Sequence, residues 1–163
     1  MSMEKGQLSI HTENFLPIIK KWLYSDRDIF IRELISNCCD AVAKRRMVGQ
    51  IPDDYQPRVT VRVDKEHRIL SFTDNGVGMT AEEVRKYINQ VAFSGANDFM
   101  EKYKDSGEQI IGHFGLGFYS AFMVADKVRI DTLSCLPDAK AVCWESDGSV
   151  EYTMEETERE EVG

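Results

Sequence analysis

No run of this sequence is apolar enough to cross a bilayer, and the opening residues "MSMEKGQLSIHTENF" lack the apolar core of a signal peptide. Both absences point away from a membrane protein and from export, and the expectation is a cytoplasmic protein. The four cysteines, Cys38, Cys39, Cys135 and Cys143, have no metal-ligand spacing. Cys38 and Cys39 are adjacent within a helical pattern, so they point to different faces, and free thiols in a reducing compartment are expected. Basic residues do not cluster, apart from "KRR" at Lys44–Arg46, and the net charge is −8. That balance excludes a nucleic-acid surface, which is basic. "KRR" falls near a helix C-terminus, where cations suit the helix dipole, and a structural role is expected for it. No internal repeat or low-complexity linker is present, so the 163 residues read as one domain, long enough to bury a core.

Much of the acidity sits at one end. "EYTMEETEREEVG", Glu151–Gly163, carries six Glu against one Arg, which reads as a solvated tail or an exposed helix. Elsewhere the patterns are regular. "GQLSIH" reads as a short strand, followed by an amphipathic segment over Asn14–Tyr24. "SDRD" is a helix-start signal, and the helix it opens runs from about Asp28 to Met47, ending at Gly49 with Pro52 beyond. "RVTVRVD" alternates strictly and places Val59, Val61 and Val63 on one sheet face. "KEH" turns the chain into "RILSFTD", completing a hairpin. Thr80 and Glu83 have capping-box spacing, and Met79 and Val84 the spacing of a hydrophobic staple. From "SGANDF" to "DSGEQ" the chain is polar and reads as a mobile segment with a short helix. "GHFGLGFYSAFMVA" is a glycine-rich turn entering a helix. "KVRIDTL" and "KAVCWES" are strands, and "SDGS" turns into "VEYTM". Central helices with mostly hairpin-connected strands give an α+β sandwich, helices covering one face of the sheet.

Three constellations carry chemistry. On the long helix Glu33, Asn37 and Asp40 stand at i, i+4 and i+7, within one narrow stripe among apolar residues Phe30, Leu34, Cys38, Ala41 and Val42. The helix alone does not decide between a wet face and a site. "DNGVG" places Asp74 at a strand end before Gly76 and Gly78, a sharp turn with an accessible backbone, and Asp there can accept a hydrogen bond from an amino group such as that of adenine. A plain Asn-Gly turn is the bland alternative, weakened by the second glycine and the capped helix that follows. "GHFGLGF", with Gly112, Gly115 and Gly117, precedes a helix and can cradle phosphate. It is neither a Walker loop nor a dinucleotide fingerprint.

The three blocks in this order resemble the ATPase superfamily that unites gyrase B, the ninety-kilodalton heat-shock chaperones, histidine kinases and MutL. "RELISNCCDA", "DNGVGMT" and "IGHFGLGFYSAFMVADKV" look most like the chaperone branch, of the bacterial high-temperature protein G type, over nearly the whole chain. The resemblance implies a Bergerat-type ATPase fold: a two-layer sandwich with a mixed, mainly antiparallel sheet. It implies Glu33 as general base for the water attacking the γ-phosphate, Asn37 as the Mg²⁺ contact, and Asp40 and Ala41 as pocket lining. It further implies Asp74 as the adenine-binding carboxylate, with Gly78 and Met79 as the floor of the adenine pocket. Gly112, Gly115, Leu116, Gly117 and Phe118 would wrap the phosphates in a lid whose near end is Ser94, with Gly95 and Gly107 as hinge points.

Two departures stand out. Phe93 occupies a position where many members of the family carry a lysine near the nucleotide. The chain also stops at Gly163, before the family's Gly-Thr strand, so residues 1–163 are expected to form a nucleotide-binding domain lacking its last strand. By the same resemblance the cofactors are ATP or ADP with Mg²⁺, and the partners are unfolded or partly folded client proteins and a second copy in a full-length homodimer, with no nucleic acid and no membrane. The expected function is that of an ATP-hydrolysing chaperone domain in the stress response, slow or inactive as an isolated fragment. Alternatives are a nucleotide-binding module without turnover and a histidine-kinase-type domain. For the latter, His11, His67 and His113 offer no phosphoacceptor context.

Overall fold

The computed structural model describes residues 3–7, 28–49, 51–90, 117–148 and 151–163. The amphipathic segment Asn14–Tyr24, the polar stretch holding Phe93, Ser94, Gly95 and Gly107, and Gly112, Gly115 and Leu116 lie outside the described residues. Six strands are described: β1 (Glu4–Gln7), β2 (Val59–Asp64), β3 (Ile69–Asp74), β4 (Val128–Thr132), β5 (Ala141–Ser146) and β6 (Glu151–Thr157). They form a four-stranded sheet in the order β1-β6-β5-β4 and a separate β2-β3 hairpin. Every described pair is antiparallel, so the parallel component of the expected mixed sheet is not found among the described residues. Helix α1 (Ile29–Val48), a short helix α2 (Ala81–Val84) continuing as a π-helix over Arg85–Gln90, and a 3-10 helix (Gly117–Met123) complete the described elements.

Helix α1 forms close to its expected bounds, but its burial does not follow the apolar stripe: Ile29, Glu33, Cys38 and Arg45 are buried, while Phe30, Leu34, Ala41 and Val42 are half-buried. It closes on Gly49, in the left-handed conformation, whose N–H donates to the Arg45 carbonyl. Its start differs in one respect from the capping signal: Asp28 occupies the N-cap position in helical backbone geometry and makes no side-chain cap bond. The capping box at α2 does form, with the Glu83 N–H donating to Thr80 Oγ1 at 3.2 Å and the Thr80 N–H to Glu83 Oε2 at 2.8 Å.

The core lies between the sheet and the helices. Trp144, on the central strand β5, is fully buried and meets the Phe118 and Phe122 rings of the 3-10 helix edge-on, at 5.7 and 6.5 Å between centroids. It stacks on Tyr152 of β6 at 6.2 Å and lies opposite Met154, also fully buried. The acidic C-terminal stretch is therefore not a solvated tail or an exposed helix. Its first half is β6, inserted between β5 and β1, with Tyr152 and Met154 facing inward while Glu151, Glu155 and Glu156 stay exposed. The β2-β3 hairpin forms as expected, though its turn takes in Arg68 as well as "KEH", which sets Val61 opposite Phe72 and Val63 opposite Leu70. Its valine face is wetter than a core face: Val61 and Val63 are 45% and 64% exposed.

Edge strand β1 is held by more than its ladder. Arg85 Nε donates to both Glu4 carboxylate oxygens, at 3.0 and 3.1 Å, and the Tyr152 hydroxyl donates to Glu4 Oε1 at 3.1 Å. The Arg85 bond, with a smaller contribution from Tyr152, holds the Glu4 carboxyl below its ordinary value of 4.5 despite partial burial. Because the folded value is depressed, this contact stabilises the fold fully above pH 4.5 and is lost as the pH falls through the folded value. Arg85→Ala is expected to speed amide exchange of residues 4–7 selectively while lowering global stability by less than about 1 kcal/mol, since the pair is partly solvated. Hydrogen exchange followed by NMR checks both, and acidification through the carboxylate range should reproduce the effect in the unsubstituted protein.

Candidate nucleotide site

The site is built where the turn after β3 docks onto α1. Successive helix residues turn by about 100°, which puts Cys38, Ala41 and Arg45 on one stripe, next to the stripe of Glu33, Asn37 and Asp40. Each residue of the first stripe holds the turn. The buried Cys38 thiol lies within hydrogen-bonding reach of the Asp74 carboxylate. The Ala41 carbonyl accepts from the Val77 N–H at 2.9 Å. Arg45 Nη1 donates to the Asn75 carbonyl at 2.7 Å. Burial, then the neighbouring Asp74 charge and the hydrogen bond to it, push the Cys38 thiol up to about 12, so it is a donor and not a thiolate. Cys39, on a different face, is exposed, and both thiols are free.

Glycine is required twice in this turn. A Cβ on Gly76 would overlap the Ala41 main chain, so only glycine lets the turn approach the helix this closely. Gly78 has φ +64°, and a Cβ there would overlap the Leu133 carbonyl. Within the turn, the Gly76 N–H donates to Asp74 Oδ1 at 2.8 Å, which sets the carboxylate at the end of β3. Beyond it the Met79 N–H donates to Thr132 Oγ1 at 3.0 Å, and the Thr132 hydroxyl donates to Gly163 O at 3.0 Å. Gly163 and Leu133 exchange both main-chain bonds at 2.9 Å, and the Cys135 N–H donates to the Val77 carbonyl at 2.9 Å. These bonds tie the four-stranded sheet to the hairpin's turn. Residue 163 thus lies between the end of β4 and Asp74.

The polar stripe of Glu33, Asn37 and Asp40 is split by its surroundings. Glu33 is 8% exposed, whereas Asn37 and Asp40 are exposed. Burial raises the Glu33 carboxyl above its ordinary value, offset in part by the Arg32 charge beside it. Helix α1 also packs against the 3-10 helix that begins at Gly117, the C-terminal end of the glycine-rich stretch. The Phe118 ring is engaged with Trp144 and Phe122. The structure thus gathers Asp74, Gly78 and Met79 on one turn docked to the helix of Glu33, Asn37, Asp40 and Ala41. Ser94, Gly112, Gly115 and Leu116 are outside the described residues.

Sequence reasoning missed the supports: Cys38 under Asp74, Arg45 and Tyr55 behind Asn75, and Thr132 under Met79. Local pattern carries no signal for these, since their partners lie 30 or more positions away, except for Tyr55 at 20. Within the Lys44–Arg46 cluster, Arg45 has a structural role through its bond to Asn75, while Lys44 and Arg46 are exposed.

Comparison with known proteins gives a consistent result. Over 163 residues the chain is 52% identical to the chaperone protein HtpG of Bacteroides thetaiotaomicron, covering 99% of this chain and 24% of that protein. It is 51% identical to HtpG of Porphyromonas gingivalis over 98% of this chain and 24% of the relative. It is 37% identical to the mitochondrial TNF receptor-associated protein 1 homolog of Dictyostelium discoideum, over 95% and 23%. The chain therefore spans about a quarter of the length of the relatives it matches. Residues 25–157 match the family described as histidine kinase-, DNA gyrase B-, and HSP90-like ATPase, and the chain belongs to that family.

Proposed function

We propose that this chain is the ATP-binding and ATP-hydrolysing domain of an HtpG-type chaperone that assists folding of unfolded or partly folded clients, acting in the cytoplasm as part of a homodimer. The observation that carries the reading is the docking of the Asp74 turn onto the helix of Glu33. It holds the Asp74 carboxylate, which can accept from a base, at a turn packed against the helix that carries the buried carboxylate of Glu33. Asp74 accepts from the exocyclic amino group of adenine, over Gly78 and Met79, with Asp40 and Ala41 alongside. Gly112, Gly115, Leu116, Gly117 and Phe118 offer main-chain N–H groups to the phosphates, and Ser94 belongs to the same lid.

Glu33 orients water and takes its proton. Burial that raises its proton affinity makes it a stronger base than an ordinary carboxylate. Among the described residues no group of three or more His, Cys, Asp and Glu could hold a metal. A magnesium ion at Asn37 would thus take one amide oxygen from the protein and its other ligands from phosphate and water, which suits that ion's small demand for protein ligands. Bound there, it would neutralise charge developing on the phosphates. Among the described residues no helix is long and apolar enough to cross a membrane, which fits action in the cytoplasm.

In the full-length protein, Glu33→Gln is expected to leave ATP affinity within about threefold and to lower turnover by about 10²-fold or more, the range of general-base catalysis. Unchanged turnover removes Glu33 from its role. The same substitution should raise the melting temperature at neutral pH. The folded value of Glu33 lies above 4.5, so its ionised form costs the native state at neutral pH. That advantage should shrink as the pH falls through the folded value and vanish below about 4.5.

Asp74→Asn should weaken ADP binding by about 10–100-fold in calorimetric titration, the loss of a charge-assisted hydrogen bond. A protein that binds neither ADP nor ATP, with or without Mg²⁺, overturns the reading. Binding without turnover reduces it to a nucleotide-binding module.

A further inference from the structure

Arg45 is oddly placed for a surface cation. It is 7% exposed, whereas its neighbours Lys44 and Arg46 are exposed. A buried guanidinium is costly unless its N–H groups are used. Here Nη1 donates to the Asn75 carbonyl at 2.7 Å, and the guanidinium carbon lies 4.5 Å from the centroid of the Tyr55 ring. The Tyr55 hydroxyl donates to the same carbonyl at 2.9 Å. The Asn75 side chain is also fixed: Oδ1 accepts from the Arg58 N–H at 2.8 Å, and Nδ2 donates to the Gln56 carbonyl at 2.7 Å.

The geometry has a direct consequence for Asp74. The Asn75 carbonyl and the Gly76 N–H belong to one planar peptide unit. With its oxygen held by Arg45 and Tyr55, that unit cannot rotate, and its N–H stays on Asp74 Oδ1 at 2.8 Å. Resting on the nucleotide-binding reading above, we infer that Arg45, aided by Tyr55, is a positioning residue for base recognition. It locks the 75–76 peptide so that the Asp74 carboxylate is pre-set for the amino group of adenine. In this role Arg45 acts through the peptide.

The test compares ADP with inosine diphosphate, which carries an oxygen where adenine has its amino group. Both are titrated calorimetrically into the full-length protein. The unsubstituted protein should prefer ADP. Arg45→Met, which keeps an apolar stem and removes the guanidinium, should weaken ADP binding about tenfold and leave inosine diphosphate within about twofold, so the preference falls. Tyr55→Phe keeps the ring under the guanidinium and removes one of the two bonds, and should lower the preference about threefold. It decides the matter if Arg45→Met does not fold, as judged by its melting curve. A merely structural role would weaken both nucleotides in proportion, and an unchanged preference in the folded variants overturns the inference while leaving the nucleotide-binding reading intact. An unsubstituted protein that binds both nucleotides equally overturns the role of Asp74, and the inference with it.

Discussion

The arrangement depends on one close approach: the main chain at Gly76 lies against the main chain at Ala41, with no room for a side chain between them. The Val77 N–H bond to the Ala41 carbonyl completes the contact. Backbone against backbone is the least adjustable kind of packing, because neither partner has a rotamer to change. It therefore fixes the distance and angle between a helix carrying Glu33 and a turn carrying Asp74. Cys38 and Arg45, one turn to either side of Ala41, make the same contact stiff against rocking.

The sheet serves this contact from below. Thr132, Leu133 and Cys135 reach from the end of β4 into the same turn, and Gly163 bridges back to Leu133. The Trp144 cluster holds the 3-10 helix, on which α1 also packs. Against this rigid frame the buried Glu33 is a local conflict, since an ionised carboxylate with little solvent is costly. Such conflicts between stability and local rules are where catalytic groups are found.

Much of the fold was legible because its elements are strongly periodic. The bounds of α1, the pairing of β2 with β3 as a hairpin and the Thr80–Glu83 box follow from spacing within a few residues. What failed were judgements about surroundings. The Glu-rich C-terminal stretch reads as solvated by composition, yet Tyr152 and Met154 alternate within it, and two flanking strands bury them. Val61 and Val63 have the alternation of a core-facing strand but stay exposed in the two-stranded hairpin. Asp28 has the chemistry of a cap without making the bond.

The site divides along the same line. Sequence by itself determined that Glu33, Asn37 and Asp40 share a helical stripe, since helix pitch is fixed by backbone geometry. It also determined that two glycines follow Asp74. Only the tertiary structure decided that this turn meets the next stripe of that helix, that Glu33 is buried while Asn37 is wet, and that a carbonyl one residue past Asp74 is clamped by Arg45 and Tyr55. The reason is physical: pitch and turn preference are properties of neighbouring residues, whereas burial and long-range hydrogen bonds belong to surfaces brought together by folding.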